Sequence, residues 1–191
     1  MDAATQYALA YSLTTAAGVR AVLALAVVSV AAHIGLLHPP AFFAWLASPV
    51  AMWILIVVAL LELLADKVPV LDHALHVLQI VVKPAAAAIV VGGTVHPQSN
   101  EMLVFLMVVG ALNALGVHAG IATARGASTL ATAGLGNPVV STVEDAGALG
   151  TSLLAFVAPF VVAVAALLFT IAMLVLARRT YVSVRARSTS S

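Results

Sequence analysis

The sequence predicts an all-α polytopic membrane bundle of about six transmembrane helices. Three observations lead there. Of 191 residues, 63% are hydrophobic and only 8% charged, where a soluble domain carries roughly 25%. The mean hydropathy is +1.16, spread over long apolar runs rather than one. Those runs are punctuated by Pro, Gly and a few isolated charges.

The first apolar segment runs from about Ala3 to Leu37. At ~1.5 Å per residue it exceeds a ~30 Å hydrocarbon core, so a break is expected near Ala16-Ala17-Gly18. An interfacial or re-entrant piece would precede that break, and a span through Ile34 would follow it. His38-Pro39-Pro40 ends the segment, and Phe42, Phe43 and Trp45 read as an aromatic interfacial loop. The second span is Pro49 to Leu64. The third is Val68 to Val91, with an interruption expected at Lys83-Pro84. A polar loop, 92–100, separates it from the fourth span, Met102 to Thr123. The fifth segment, Ala127 to Val143, is rich in Gly, Ala, Ser and Thr and is broken at Gly134-Leu135-Gly136-Asn137-Pro138. It is barely apolar enough to face lipid, so it is expected to be buried or re-entrant. The sixth, Ala146 to Ala177, carries Pro159.

The chain reads as a single membrane domain, 1–191, with a basic tail at 178–191. Arg178, Arg179, Arg185 and Arg187 place that tail in the cytoplasm by the positive-inside rule. Counting back through six spans puts Arg125 and Lys67 on the same side and both termini inside, in a bacterial inner membrane. The halves, 1–94 and 101–177, each show Arg, X-Pro, acid and Pro in that order: Arg20, Pro49, Glu62, Pro84, then Arg125, Pro138, Glu144, Pro159. That order suits an inverted three-plus-three repeat with broken or re-entrant helices. Chance ordering of common helix breakers suits it somewhat better, because the spacings differ greatly and other prolines are skipped.

Several function classes are excluded. Cys is absent, so there is no disulfide, thiolate metal site or cysteine nucleophile. A net charge of +1 argues against nucleic acid as a partner. The first basic residue is Arg20, so the N-terminus lacks the basic region of a cleaved signal peptide and is expected in the mature protein. No Walker, Rossmann or His-Glu-x-x-His motif occurs, and nothing calls for a cofactor.

The candidate chemistry lies in charges at membrane depth, where they are costly and by default functional. Asp72, His76, Gln79 and Lys83 are spaced i, i+4, i+7 and i+11, one narrow stripe of a helix. Beside them stand Glu62, Asp66 and Lys67; the two acids are i, i+4 and repel, which favours a held proton. The bland alternatives are ordinary turn charges and salt-bridged helix contacts. Asn137, Glu144 and Asp145 follow the Gly-rich break, where a helix start offers N–H groups and Asn137 can cap. Arg20, within an apolar run, needs an acid, a phosphate or carbonyls; Glu62, Glu144 and Asp145 are its candidates. Asp72, His73 and His76 have the loose spacing of a metal site, although a satisfied polar cluster explains them as well.

The leading functional expectation is a small proton- or ion-coupled transporter, or a flippase. Asp72, His76 and Glu62 would carry protons, and Arg20 and Lys83 would hold an anionic group. The alternatives are a structural or assembly subunit that binds anionic lipid, and an intramembrane enzyme acting on lipid phosphate. The expected partners are the bilayer, an anionic lipid or small-molecule substrate, and a second copy in a homodimer. The inferred topology puts the acids near Glu62 and those near Glu144 at opposite membrane faces. They share a site only if broken helices bring them to the midplane.

These motifs together resemble a bacterial family of integral membrane proteins, the domain of unknown function DUF4126. The resemblance rests on Gly18-Val19-Arg20-Ala21, Leu46-Ala47-Ser48-Pro49, Glu62-Leu63-Leu64-Ala65-Asp66-Lys67-Val68-Pro69 with Asp72, Lys83-Pro84, and Asn137-Pro138 through Glu144-Asp145. It covers nearly the whole chain. The family pattern often has Arg where this chain has Lys83, which keeps the charge and loses the bidentate fork. The resemblance implies that Asp66 and Lys67 belong to a signature, and it implies no activity.

Overall fold

The computed structural model describes residues 1–65 and 69–188, with the side chains of 69–77 and 183–188 left undescribed. The described chain is all-α: α1 (Ala3–Val19), α2 (Ala21–His33), a 3₁₀ turn (Ala41–Ala47), α3 (Pro49–Ala65), α4 (Pro69–Thr94), α5 (Asn100–Thr132), α6 (Asn137–Val157) and α7 (Pro159–Ser188).

Its polarity is that of a protein in lipid. Leu60, Leu61, Phe105, Leu112, Val161 and Leu168 are exposed, while Ser12, Thr14, Ser29, Lys83, Ser141 and Ser152 are buried. Two helices, α5 and α7, are long and apolar enough to cross a membrane; a third crossing is available if the 3₁₀ turn and α3, bent by 66°, act as one span. Among the described residues α2 and Leu78–Thr94 are apolar but shorter.

Helix α1 is the axis of the bundle. It starts at Asp2, whose carboxylate accepts from the Thr5 amide at 2.8 Å and from its hydroxyl at 3.0 Å. Those bonds hold the Asp2 carboxyl below its usual range. From Ser12 to Ala21 every residue is buried, because α1 packs against α4, α5, α6 and α7 together. A Cβ at Gly18 would sit 2.8 Å from the Ala114 carbonyl oxygen and 2.7 Å from Val117 Cβ, so only glycine lets α1 and α5 approach this closely.

Four expected boundaries differ. The first break falls at Arg20, not at 16–18: Arg20 is extended (φ −133°, ψ 101°) and serves both as C-cap of α1 and N-cap of α2. Small residues at 16–18 continue the helix and give it a close packing face. Lys83-Pro84 does not interrupt α4, which runs through Pro84. Proline removes one intrahelical bond, and a membrane helix tolerates that loss when its neighbours pack tightly. The fifth segment is no element of its own. At 33 residues α5 is roughly 50 Å long, well beyond a hydrocarbon core, so the Ser/Thr/Gly-rich stretch forms its far end, the turn through Ala133 and Gly134 (φ 50° and 86°), and the start of α6. The sixth segment splits at Ala158, held out of the helical region by Pro159. The basic tail, in turn, continues α7 as helix to Ser188. Four α-helices thus precede residue 95 and three follow it.

Candidate functional site

Breaking the chain at Arg20 does two things. It frees the amides that open α2, and it turns the Arg20 side chain across the bundle toward α6. One freed amide, Val22 N–H, donates to Glu62 Oε2 at 3.2 Å. A carboxylate from α3 therefore sits at the positive end of α2.

Arg20 is 1% exposed and meets three groups of α6. Its Nε lies 2.6 Å from Asp145 Oδ1, and its Nη2 lies 3.7 Å from Glu144 Oε2. The same Nη2 donates to Ser141 Oγ at 3.0 Å. Spacing i, i+3, i+4 on α6 puts Ser141, Glu144 and Asp145 on one face, and a planar guanidinium suits such a set. Glu144 is shared. Arg125 of α5 grips it through Nε to Oε1 at 3.0 Å and Nη2 to Oε2 at 2.5 Å.

Lys83 enters from α4 and is 2% exposed. Its Nζ lies 3.0 Å from His118 Nδ1 of α5. An ammonium has no lone pair, so a charged Lys83 pairs with His118 only through an unprotonated Nδ1. Glu144, Arg20, Glu62 and Arg125 are the charged side chains within electrostatic reach of Lys83. Among the described residues, three cations (Arg20, Lys83, Arg125) and three acids (Glu62, Glu144, Asp145) thus form one cluster, with Arg20, Glu62 and Lys83 buried and the other three partly buried.

Two cavities touch this cluster, each at an acid. One, of about 280 Å³, lies among α2, α3 and α4, with Glu62 and Gln79 as its polar groups. The other, of about 340 Å³, lies among α1, α5, α6 and α7, and its polar groups are Glu144, Thr15 and Thr151. A larger cavity of about 550 Å³ between α2, α3 and α6 is apolar throughout and does not reach the charges. Arg20 and Lys83 line none of these three.

Of the expected residues, the structure brings together Arg20, Glu62, Lys83, Glu144 and Asp145, and it puts Gln79 at the cavity beside Glu62. Glu62 and Glu144 thus lie in one cluster, the arrangement that the expected topology allowed only if broken helices bring them together, and the chain is broken at Arg20 between α1 and α2. Asn137 stands outside the cluster: its Nδ2 donates to Thr129 Oγ1 at 2.9 Å across the exposed turn. Gly136, not Asn137, is the N-cap of α6. Asp66 and Lys67 lie outside the described residues, as do the side chains of Asp72, His73 and His76. On the polar stripe, Gln79 and Lys83 are buried while Leu78, Ile80, Val81 and Val82 are exposed. Among the described residues no three acids or histidines are grouped to hold a metal.

Sequence reasoning missed two members. His118 belongs to no motif, and Arg125 enters the sequence reading only through the topology and the order of the two halves. A second polar group went unnoticed: Asn113 Nδ2 donates to Thr14 and Thr15 Oγ1, both at 2.9 Å, and its Oδ1 accepts from Thr170 at 3.1 Å. An amide in mid-span was the signal for it.

No curated protein and no solved structure shows significant similarity to this chain. The family model described as domain of unknown function, DUF4126, matches residues 7–179, from within α1 to near the end of the apolar part of α7. That stretch contains every member of the charge cluster, and the chain belongs to the DUF4126 family.

Proposed function

We propose that this protein is a small proton- or ion-coupled membrane transporter whose coupling site is the cluster at the α1–α2 break. One observation carries the reading: two cavities built from different helices each reach one carboxylate of the same charge cluster, Glu62 in one and Glu144 in the other. A transporter needs one site approached by two routes, and carboxylates that exchange a proton for a solute. With three cations against three acids, protonating Glu62 or Glu144 changes the balance of the whole cluster. Solute and proton then compete or cooperate through charge alone. The location that goes with this reading is a bacterial inner membrane with the Arg-rich end of α7 in the cytoplasm. The plan that goes with it is six crossings in two inverted halves; the shared order of Arg, X-Pro, acid and Pro supports it.

The test uses liposomes containing the protein and a trapped pH dye, challenged with pools of small organic ions. At least one pool should move protons with the native chain, and Glu144→Gln and Glu62→Gln should each lower that rate at least tenfold while inserting normally. If inserted, folded protein moves no protons with any pool, the cluster is a packing device and the assembly-subunit reading replaces this one.

A further inference from the structure

The cavity among α1, α5, α6 and α7 has a specific chemistry. Helix α6 presents Glu144, Gly147 and Thr151 to it, spaced i, i+3 and i+7 on one face. Gly147 leaves the middle of that face open, since a Cβ there would meet nothing within 4 Å. Glu144 Oε2 is taken up by the two arginines, whereas Oε1 accepts from Arg125 Nε and, with two lone pairs, keeps one acceptor site. The remaining wall is apolar, apart from Thr15, and includes the ring of Phe169. Among the described residues no Lys or Arg lines the cavity; Arg20 and Arg125 reach it only through their contacts with Glu144, and Lys83 does not line it. From Arg20 to Asp145, leaving out Glu101 at the exposed start of α5, the sequence carries five acids and four bases.

We infer that this cavity binds an amphipathic ammonium, with the N⁺–H on Glu144 Oε1, the Thr151 hydroxyl as a second polar contact and the apolar body against Phe169 and Val162. A carboxylate head would face Glu144 without a countercharge, and a sugar would leave most of its hydroxyls against apolar walls. The volume of about 340 Å³ suits a body of about one ring and a short chain. The inference rests on the transport reading only in taking Glu144 to be where a ligand meets the cluster.

The test is equilibrium binding to the full chain in phosphatidylcholine nanodiscs, with empty nanodiscs as blank. Three probes share one body: 2-phenylethylammonium, 3-phenylpropionate and 2-phenylethanol. The ammonium should bind at least tenfold more tightly than the other two. Glu144→Gln should lower its binding at least tenfold. Because that variant also disturbs two arginines, Gly147→Leu is the decisive partner: it fills the cavity while leaving every charged residue in place and should abolish binding, while Gly150→Leu should not. Tighter binding of the carboxylate, equal binding of all three, or full ammonium binding by Gly147→Leu overturns the inference. Displacement of the probe by phosphatidylethanolamine would identify the ammonium as a lipid head; no displacement would identify a free amine. Ammonium binding without proton flux would leave this site standing and remove the transport reading. Proton flux driven only by carboxylates would do the reverse.

Discussion

Arg20 is the residue on which the site depends. Its guanidinium spans Ser141, Glu144 and Asp145, and no ammonium can reach all three in that planar arrangement. Arg20→Lys should therefore be destabilising although it keeps the charge. Arg20→Met should cost more, about 3–5 kcal/mol, because it strands buried acids. The double variant Arg20→Met with Asp145→Asn should recover part of that loss. Trp45 and Trp53 make thermal unfolding readable by intrinsic fluorescence. If Arg20→Lys unfolds at the native temperature, the forked contact is not what holds α6. At this scale the sequence was informative about type and silent about pairing. An arginine in an apolar run must find acids, and its three candidate partners were legible. Which of them it meets depends on helix rotation, and no single sequence states that. Lys83 shows the same limit: its burial was legible from the stripe, its partner His118 was not.

Individual helices explain why the expected boundaries moved. Gly and Ala at 16–18 look like a breaker pair in sequence, yet they are there to admit α5, whose Ala114 and Val117 lie against Gly18. Gly18→Val should therefore push α1 from α5 and lower thermal stability clearly. Gly147→Leu should leave thermal stability near native, because Gly147 opens on space. Equal losses in both would mean that packing at Gly18 is not special. Proline is read by its neighbours in the same way. Pro159 ends α6 because Ala158 has left the helical region, whereas Pro84 sits in a helix that its neighbours hold closed. Sequence identifies a breaker; packing decides whether the helix breaks.

Across the whole molecule, composition alone announced a membrane bundle, and the exposed leucines and buried serines agree with it. The number of crossings did not follow from hydropathy. Helix α5 absorbs a stretch that reads as a separate segment, and α6 and α7 divide one that reads as continuous. The consequence for function is that two acids assigned to opposite faces lie in one cluster, each open to a different cavity. That arrangement is the core of the account: a charge cluster with a cavity at each of two carboxylates, Glu62 and Glu144.

Because the chain has no cysteine, single substitutions can report access cleanly. The most direct measurement labels Gly147→Cys in one cavity and Ala65→Cys in the other with a membrane-impermeant thiol reagent, using the lipid-facing Val57→Cys as control. The account predicts that both cavity positions react and that Val57→Cys stays unlabelled. If neither cavity position reacts above that control, no water reaches the acids and the coupling-site account is contradicted.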